Sequence, residues 1–322
     1  MAKSRRTFLK YGAVGLGAAV GCGTWWAAVS ERRSARWLRR IVEDSKRAML
    51  PASEKPDPNG WPANGITLAW LGHATVLINF YGVRILTDPA LGARIGVSVG
   101  IGVLGPKRYI APALTARQLP PIDLVLLSHA HMDHLDTATL RRIKPRAGLV
   151  TSKMTSEILP SARAKGAIEM GWGDELRLKC EAGELELRAF EVKHWGRRWP
   201  NDINRGYNGY VLRREGKALL FGGDTAMTPL FRDVRAYGPF EAAIMPIAAY
   251  RPWIRNHCTP EEAVEMANAA RARYILPVHH QTFKLSDEPM NEPMERLTAA
   301  LQREPERLAL SEVGQTFRVP LT

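Results

Sequence analysis

The chain has 322 residues, 45% of them apolar and 24% charged, and a formal net charge of +13. That balance excludes a wholly disordered chain, and the length allows one substantial core. Of the +13, +8 falls in residues 1–50, so the rest is only mildly basic and no nucleic-acid partner is expected.

From the N-terminus, Ser4-Arg5-Arg6-Thr7-Phe8-Leu9-Lys10 has the pattern of a twin-arginine export signal, and twenty uncharged residues, 11–30, follow it. Residues 1–30 are therefore read as a signal or membrane anchor outside the fold. The expected partner is the twin-arginine export machinery. The expected location is the periplasm, with attachment to the inner membrane through an uncleaved signal or a lipid on Cys22. Residues 31–64 form a second segment. Its first part is basic, with Trp37, Leu38, Ile41 and Val42 on one helical face, which suits either a membrane surface or a solvated linker helix. Its second part, 51–64, is proline-rich and reads as a linker. Residues 65–322 remain for a single domain. It holds Cys180 and Cys258, which an oxidising compartment would allow to bridge but whose spacing does not decide the matter.

Short apolar runs bounded by turn residues predict strands at 66–71, 75–81, 83–87, 123–127, 148–151, 175–180, 184–193, 207–213, 218–222, 242–247 and 274–278. Helices are predicted at 137–143, 151–165, 259–270 and 292–303, the first capped by Asp136. Strands and helices alternate in the second half, which predicts a layered α/β fold.

The run Ser128-His129-Ala130-His131-Met132-Asp133-His134 follows the apolar Leu124-Val125-Leu126-Leu127 directly. Three imidazoles and a carboxylate thus sit on a loop pinned between a strand and a helix, as a preorganised metal site requires. Neutral imidazole favours zinc, iron, nickel or copper over magnesium or calcium. His194, Asp224 and His279 each end another predicted strand. Gly222-Gly223 lets the chain turn sharply before Asp224. Of the adjacent pair His279 and His280, only one can face a given site.

His129-x-His131-x-Asp133-His134 is the H-x-H-x-D-H signature, and the chain resembles the metallo-β-lactamase-fold hydrolases. Trp70-Leu71-Gly72-His73-Ala74-Thr75, Thr87-Asp88-Pro89, Gly105-Pro106-Lys107-Arg108, Gly222-Gly223-Asp224-Thr225, Pro260-Glu261-Glu262-Ala263 and His279 with Thr282-Phe283 are similar to one branch, that of the N-acylphosphatidylethanolamine-hydrolysing phospholipases D. The resemblance runs from about residue 65 to about residue 293 and implies a four-layer αββα sandwich. It implies two divalent metal ions, zinc first and iron or manganese as alternatives. One would be held by His129, His131 and His194, the other by Asp133, His134 and His279, with Asp224 between them. A hydroxide bridging the two would be the nucleophile, oriented by Asp133. Asp88 would fix a ligand imidazole or the loop backbone. The resemblance also places His73 and His257 near the substrate, as hydrogen-bond or proton donors.

The expected function is therefore an exported metal-dependent hydrolase acting on a phosphodiester such as a phospholipid. A lactone or ester hydrolase and a non-catalytic envelope lipid-binding protein are the rivals. A membrane surface is an expected partner. Tyr250 and Arg251 are candidates for the mouth of the site. The glycine-rich apolar stretch 90–104 and the run Trp195-Gly196-Arg197-Arg198-Trp199 are candidates for contact with lipid.

Overall fold

A computed structural model describes residues 44–98 and 102–320. The export motif, the apolar stretch after it, Cys22 and the basic segment through residue 43 lie outside the described residues. So do 99–101 and 321–322. The chain divides into two units, Met1–Arg47 and Ala48–Thr322. In the first, only 44–47 are described, joined by an Arg47–Asp44 ion pair at 3.1 Å. Among the described residues, no helix is long and apolar enough to cross a membrane.

The second unit runs in chain order through β1 (Ile66–Gly72), β2 (Thr75–Phe80), β3 (Val83–Thr87), β4 (Val97–Ser98), β5 (Val103–Leu104), β6 (Leu124–Leu126), α1 (Thr137–Leu140), β7 (Gly148–Ser152), α2 (Ser161–Ala164), β8 (Ala167–Met170), β9 (Glu175–Cys180), β10 (Gly183–Glu191), β11 (Asn208–Arg214), β12 (Lys217–Phe221), α3 (Phe231–Val234), β13 (Phe240–Pro246), α4 (Pro260–Ala269), β14 (Ala272–Val278), α5 (Glu292–Ala300) and β15 (Thr316–Arg318). Two sheets result. The first has seven strands in the order β15-β1-β2-β3-β6-β7-β8, and the second has six in the order β14-β13-β12-β11-β10-β9. Each is a meander at one side and parallel at the other, with β3-β6-β7-β8 and β12-β13-β14 running parallel.

The period-2 alternation of the strands divides the core. In β12, Leu219 and Phe221 join the apolar layer between the sheets, whereas Ala218 and Leu220 face a second layer with Phe231 of α3, Ala263 and Met266 of α4, and Leu297 of α5. The α4 helix begins with Pro260 and a capping box in which Thr259 Oγ1 accepts from Glu262 N and Glu262 Oε2 accepts from Thr259 N. Sheets with helices on their outer faces thus match the layered αββα expectation.

The outer layer on the first sheet is thinner than expected. The helix predicted at 151–165 does not form. Its first two residues extend β7, and only a single turn, α2, follows Pro160. Glu169 accepts from the backbone N–H groups of Met154, Thr155 and Ser156 at 2.8–2.9 Å and fixes a turn there. Pro160 disfavours a helical residue before it. Residues 51–64, expected as a linker, lie along the unit: Ser53 N and Oγ both donate to Val313 O, at 2.9 and 2.8 Å. Cys180 and Cys258 are both free thiols.

Polar links join the sheets below the site, among them Asn208 Nδ2 to Met170 O at 2.9 Å. Tyr210 Oη, from β11, donates to Leu127 O at the end of β6 at 2.9 Å and accepts from Asn208 Nδ2 at 3.1 Å. Tyr210→Phe leaves that buried carbonyl without its donor and should lower stability by about 1–3 kcal/mol, read from urea unfolding. An unchanged unfolding midpoint would show that the link carries no weight.

Candidate metal centre

The strands' ends bring the sequence-predicted residues together. The loop 128–135 leaves β6, His194 follows β10, Asp224 follows β12 and His279 follows β14. Asp224 Oδ2 lies at the centre. It is 3.1 Å from His134 Nε2, 3.2 Å from His279 Nε2, 3.8 Å from His194 Nε2, 3.9 Å from His257 Nδ1 and 4.0 Å from His129 Nε2. Asp133 Oδ2 lies 3.5 Å from His134 Nε2 and 3.3 Å from His279 Nε2. His129, His131 and His194 form one group able to hold a cation, and His73, Asp133, His134 and His279 form another. Gly223 makes the approach of Asp224 possible. Its φ is 58°, and a Cβ there would fall 2.7 Å from Asn208 O and 3.0 Å from Ser128 Cβ.

Outer partners fix which imidazole nitrogen is bare. Asp88, buried in the left-handed region at φ 33°, accepts from Ser128 N at 2.7 Å, from Ser128 Oγ at 2.5 Å and from His134 Nδ1 at 2.7 Å. Ser128 Oγ, its own proton given to Asp88, accepts from His129 Nδ1 at 2.8 Å. Asn256 O accepts from His194 Nδ1 at 2.9 Å. The Nε2 atoms of His129, His134 and His194 are therefore lone pairs turned inward. His129 Nε2 and His194 Nε2 face His131 Nδ1 at 2.8 and 3.2 Å, and one His131 proton satisfies only one of them. His134 Nε2 and His279 Nε2 are buried without an aligned hydrogen bond. Lone pairs and carboxylates converging in this way fit divalent cations, and nitrogen with carboxylate donors fit the transition metals.

The electrostatics show how strongly the two carboxylates draw positive charge to this point. Burial opposes charge on His134 and His279, but Asp224 and Asp133 outweigh it, raising His134 well above its ordinary range and His279 to about 9. Burial would raise the two carboxyls, yet His134 above all holds Asp133 and Asp224 well below the usual carboxylate range. Burial lowers His129 and His194 strongly and His131 to about 4. The carboxylates thus draw a proton onto His134 and His279, at the nitrogens where a divalent cation would supply the positive charge instead, and the other imidazoles stay neutral.

His73 is buried in the left-handed region at φ 54°, and its Nε2 lies 2.9 Å from Asp133 Oδ2. Its backbone N donates to Thr282 Oγ1, and its O accepts from Trp70 Nε1 and from His279 N. It touches Asp133 directly and ties the β1–β2 turn to the His279 loop. His257 sits with its ring 5.0 Å from that of His194 and 5.3 Å from that of His279, and burial lowers it to about 4. His280 turns the other way and stacks on Trp70 at 4.3 Å. Tyr250 and Arg251 turn to α5, where both bond Glu292, because a carboxylate there satisfies the phenol and the guanidinium together. Two contributors escaped the sequence. Asn256 acts through its carbonyl, which no side chain announces, and Arg198, read as part of a run in contact with lipid, donates to Ala130 O and Leu135 O.

A rim of two sheets that presents inward-turned histidines and aspartates defines a metal-dependent hydrolase. The chain belongs to the β-lactamase superfamily: the family model described as "Beta-lactamase superfamily domain" matches residues 83–280. It is 31% identical over 284 residues to an uncharacterised protein of Mycobacterium tuberculosis, covering 83% of this chain and 74% of that one. It is 29% identical over 286 residues to N-acyl-phosphatidylethanolamine-hydrolyzing phospholipase D 1 of Caenorhabditis elegans, covering 81% and 80%. Among solved structures it resembles Igni18, a metallo hydrolase of Ignicoccus hospitalis, with a TM-score of 0.57, 19% identity and coverage of 80% and 99%.

Asp88 carries three hydrogen bonds that set two of the imidazoles. Asp88→Ala should therefore weaken metal binding by about 10–100-fold, measured by competition with a chelator. Wild-type affinity in that variant would show that the tautomers are set elsewhere.

Proposed function

We propose that the chain is an exported dinuclear zinc hydrolase that cleaves a phospholipid phosphodiester at a membrane surface. The observation that carries this reading is Asp224 Oδ2 standing within 4.0 Å of five histidine nitrogens from two sheets. His129, His131 and His194 would hold one cation, and Asp133, His134 and His279 the other, with Asp224 shared. Two divalent cations there supply Lewis acidity toward water and toward a substrate oxygen. His73 orients Asp133 through their 2.9 Å contact. His257, neutral beside Asp224, is placed to hydrogen-bond an oxygen of the substrate or leaving group. The phospholipid assignment draws on the name of the Caenorhabditis elegans relative and on the surface around the cluster.

That surface is apolar and aromatic. Trp195 packs its ring 4.5 Å from His131 and 4.3 Å from His194, with Trp253 6.5 Å beyond it. Trp172 bonds Tyr207 O, and the Tyr207 ring lies 6.4 Å from His194. Trp172, Trp199, Ile203, Trp253 and Ile254 are all 46–50% exposed. Exposed apolar side chains on the segments that carry His194 and His257 suit an interaction site, and tryptophan suits a membrane interface. The stretch 90–104 divides: Ala90 and Ile95 pack on Phe283, whereas Leu104 is exposed.

Metal analysis of the purified protein should find two transition-metal ions per chain, zinc rather than iron or manganese. Asp224→Ala should lose both. A fully active protein with one ion or none would overturn the dinuclear reading. Fast lactone or ester hydrolysis without phosphodiester turnover would overturn the substrate, and a metal-loaded protein that binds lipid but hydrolyses nothing would favour a lipid-binding role.

Trp199→Ser with Ile203→Ser should weaken binding to phospholipid vesicles at least about tenfold, since a fully buried apolar side chain contributes about 1.5–3 kcal/mol. Turnover of a soluble phosphodiester should fall far less. Equal losses would mean that these residues support the fold. Arg5→Lys with Arg6→Lys should hold the protein in the cytoplasm, as fractionation would report. Unchanged export would refute the twin-arginine assignment.

A further inference from the structure

The loop between β10 and β11 is a folded object in its own right. Asp202 organises it, accepting from Arg198 N at 3.3 Å and from Arg205 Nε and Nη2 at 3.0 and 2.9 Å. Gly196 N donates to Asn204 Oδ1 at 3.3 Å. Its C-terminal end is tied to the neighbouring sheet, where Gly206 N donates to Lys153 O at 2.9 Å and Arg205 Nη1 bonds Met154 O and Glu157. A loop of this length needs such ties, because otherwise its backbone entropy opposes any fixed position for the residues it carries.

The ties aim one guanidinium. Arg198 Nη1 donates to Ala130 O at 2.6 Å and to Leu135 O at 3.0 Å. These carbonyls bracket His131, Met132, Asp133 and His134, the part of the metal loop that supplies donors to both groups. Arg198 comes from the second sheet, four residues after His194 has been delivered to the cluster by the same loop. The carbonyls belong to the loop of the first sheet. One nitrogen thus fixes the span of the metal loop and its distance from the segment that brings His194. Three imidazoles of the cluster have partners of their own: Asp88 for His134, Ser128 for His129 and Asn256 for His194. No such partner on a side chain serves the backbone between residues 130 and 135 other than Arg198 among the described contacts. Hydrogen bonds from a charged donor are about twice as strong as neutral ones.

We infer that Arg198 is a positioning residue for the metal centre: it clamps Ala130 O and Leu135 O and so holds His131, Asp133 and His134 at the separation that binding two cations together with His194 requires. It acts through the loop that carries the ligands and is a positioning residue, not a catalytic one. This inference rests on reading the cluster as a metal centre, and the two are separable by experiment.

The test uses the full-length protein, stripped of metal and titrated with zinc against a chelator, and with cobalt(II) for its visible absorption spectrum. Arg198→Ala should weaken metal binding about 10–100-fold, in the range found when groups that orient ligands are removed, and should change the cobalt spectrum. Unfolding of the metal-free chain should shift little, because the bonds are local to the loop. Arg198→Lys keeps the charge and can reach a carbonyl, so it should recover much of the affinity and spectrum. Arg198→Gln, lacking the charge, should recover less. If Arg198→Ala fails to fold, the order Arg, Lys, Gln in affinity and spectrum decides the matter. Wild-type affinity and spectrum in Arg198→Ala or in Arg198→Gln would overturn the inference while leaving the metal centre intact. So would losses that track only the stability of the metal-free chain, with no advantage for Lys. A wild-type protein that binds neither zinc nor cobalt would overturn the metal centre itself, and the role of Arg198 with it.

Discussion

Asp88 is the carboxylate on which the geometry of the site depends. Buried at the end of β3, it accepts the backbone and hydroxyl protons of Ser128 and the Nδ1 proton of His134. Through Ser128 it also sets His129. An aspartate with a single acceptor would fix one ring. This one fixes two and the start of the loop between them, so the first sheet reaches the rim with its nitrogens already turned inward. Its left-handed φ of 33° is a conformation a non-glycine residue adopts at some cost. Thr75 Oγ1 donates to its carbonyl at 2.8 Å and helps to hold it there.

The two sheets contribute differently. The first supplies a contiguous loop with four donors. The second supplies His194, Asp224 and His279 singly, one from each of three strand ends. Each sheet alone presents an incomplete set. What joins them is the apolar layer between Leu126 and Phe221, the Tyr210–Leu127 link below the rim and the β10–β11 loop across its top. Dispersion and burial place the sheets to within the tolerance of packing, and the polar links refine that placement to what a coordination shell needs.

Much of this was legible in the sequence. Apolar runs of five to seven residues ending in His or Asp mark the strands and their donors, because a strand buried on both faces reads as a continuous run. Asp88 was legible through the family resemblance, since from the residues alone an aspartate before Pro89 at a strand end reads equally as a plain turn. The helix expected at 151–165 was wrong, since its helix-forming residues were outweighed by Glu169, a tertiary partner fourteen residues from Thr155. β8 escaped because Ala167–Met170 is too short to show a period. Tyr250 and Arg251 were sent to the mouth on the strength of the loop that carries them, whereas Glu292 decides their direction. Arg198 was hidden by its neighbours: in a run of tryptophans and arginines nothing marks the guanidinium that turns inward.

The donors are spread from His73 to His279, and no contiguous stretch holds more than part of either group. A growing or half-folded chain would therefore have no tight site to fill, and a cation would be held tightly only once both sheets had met. Sites of this kind take the metal that is at hand at that moment more than the one they bind best, because intrinsic affinities follow a fixed order that the protein changes little. The compartment in which the chain completes its fold thus has a say in which metal it carries, and a fold that closes before transport would keep that choice after the surroundings have changed.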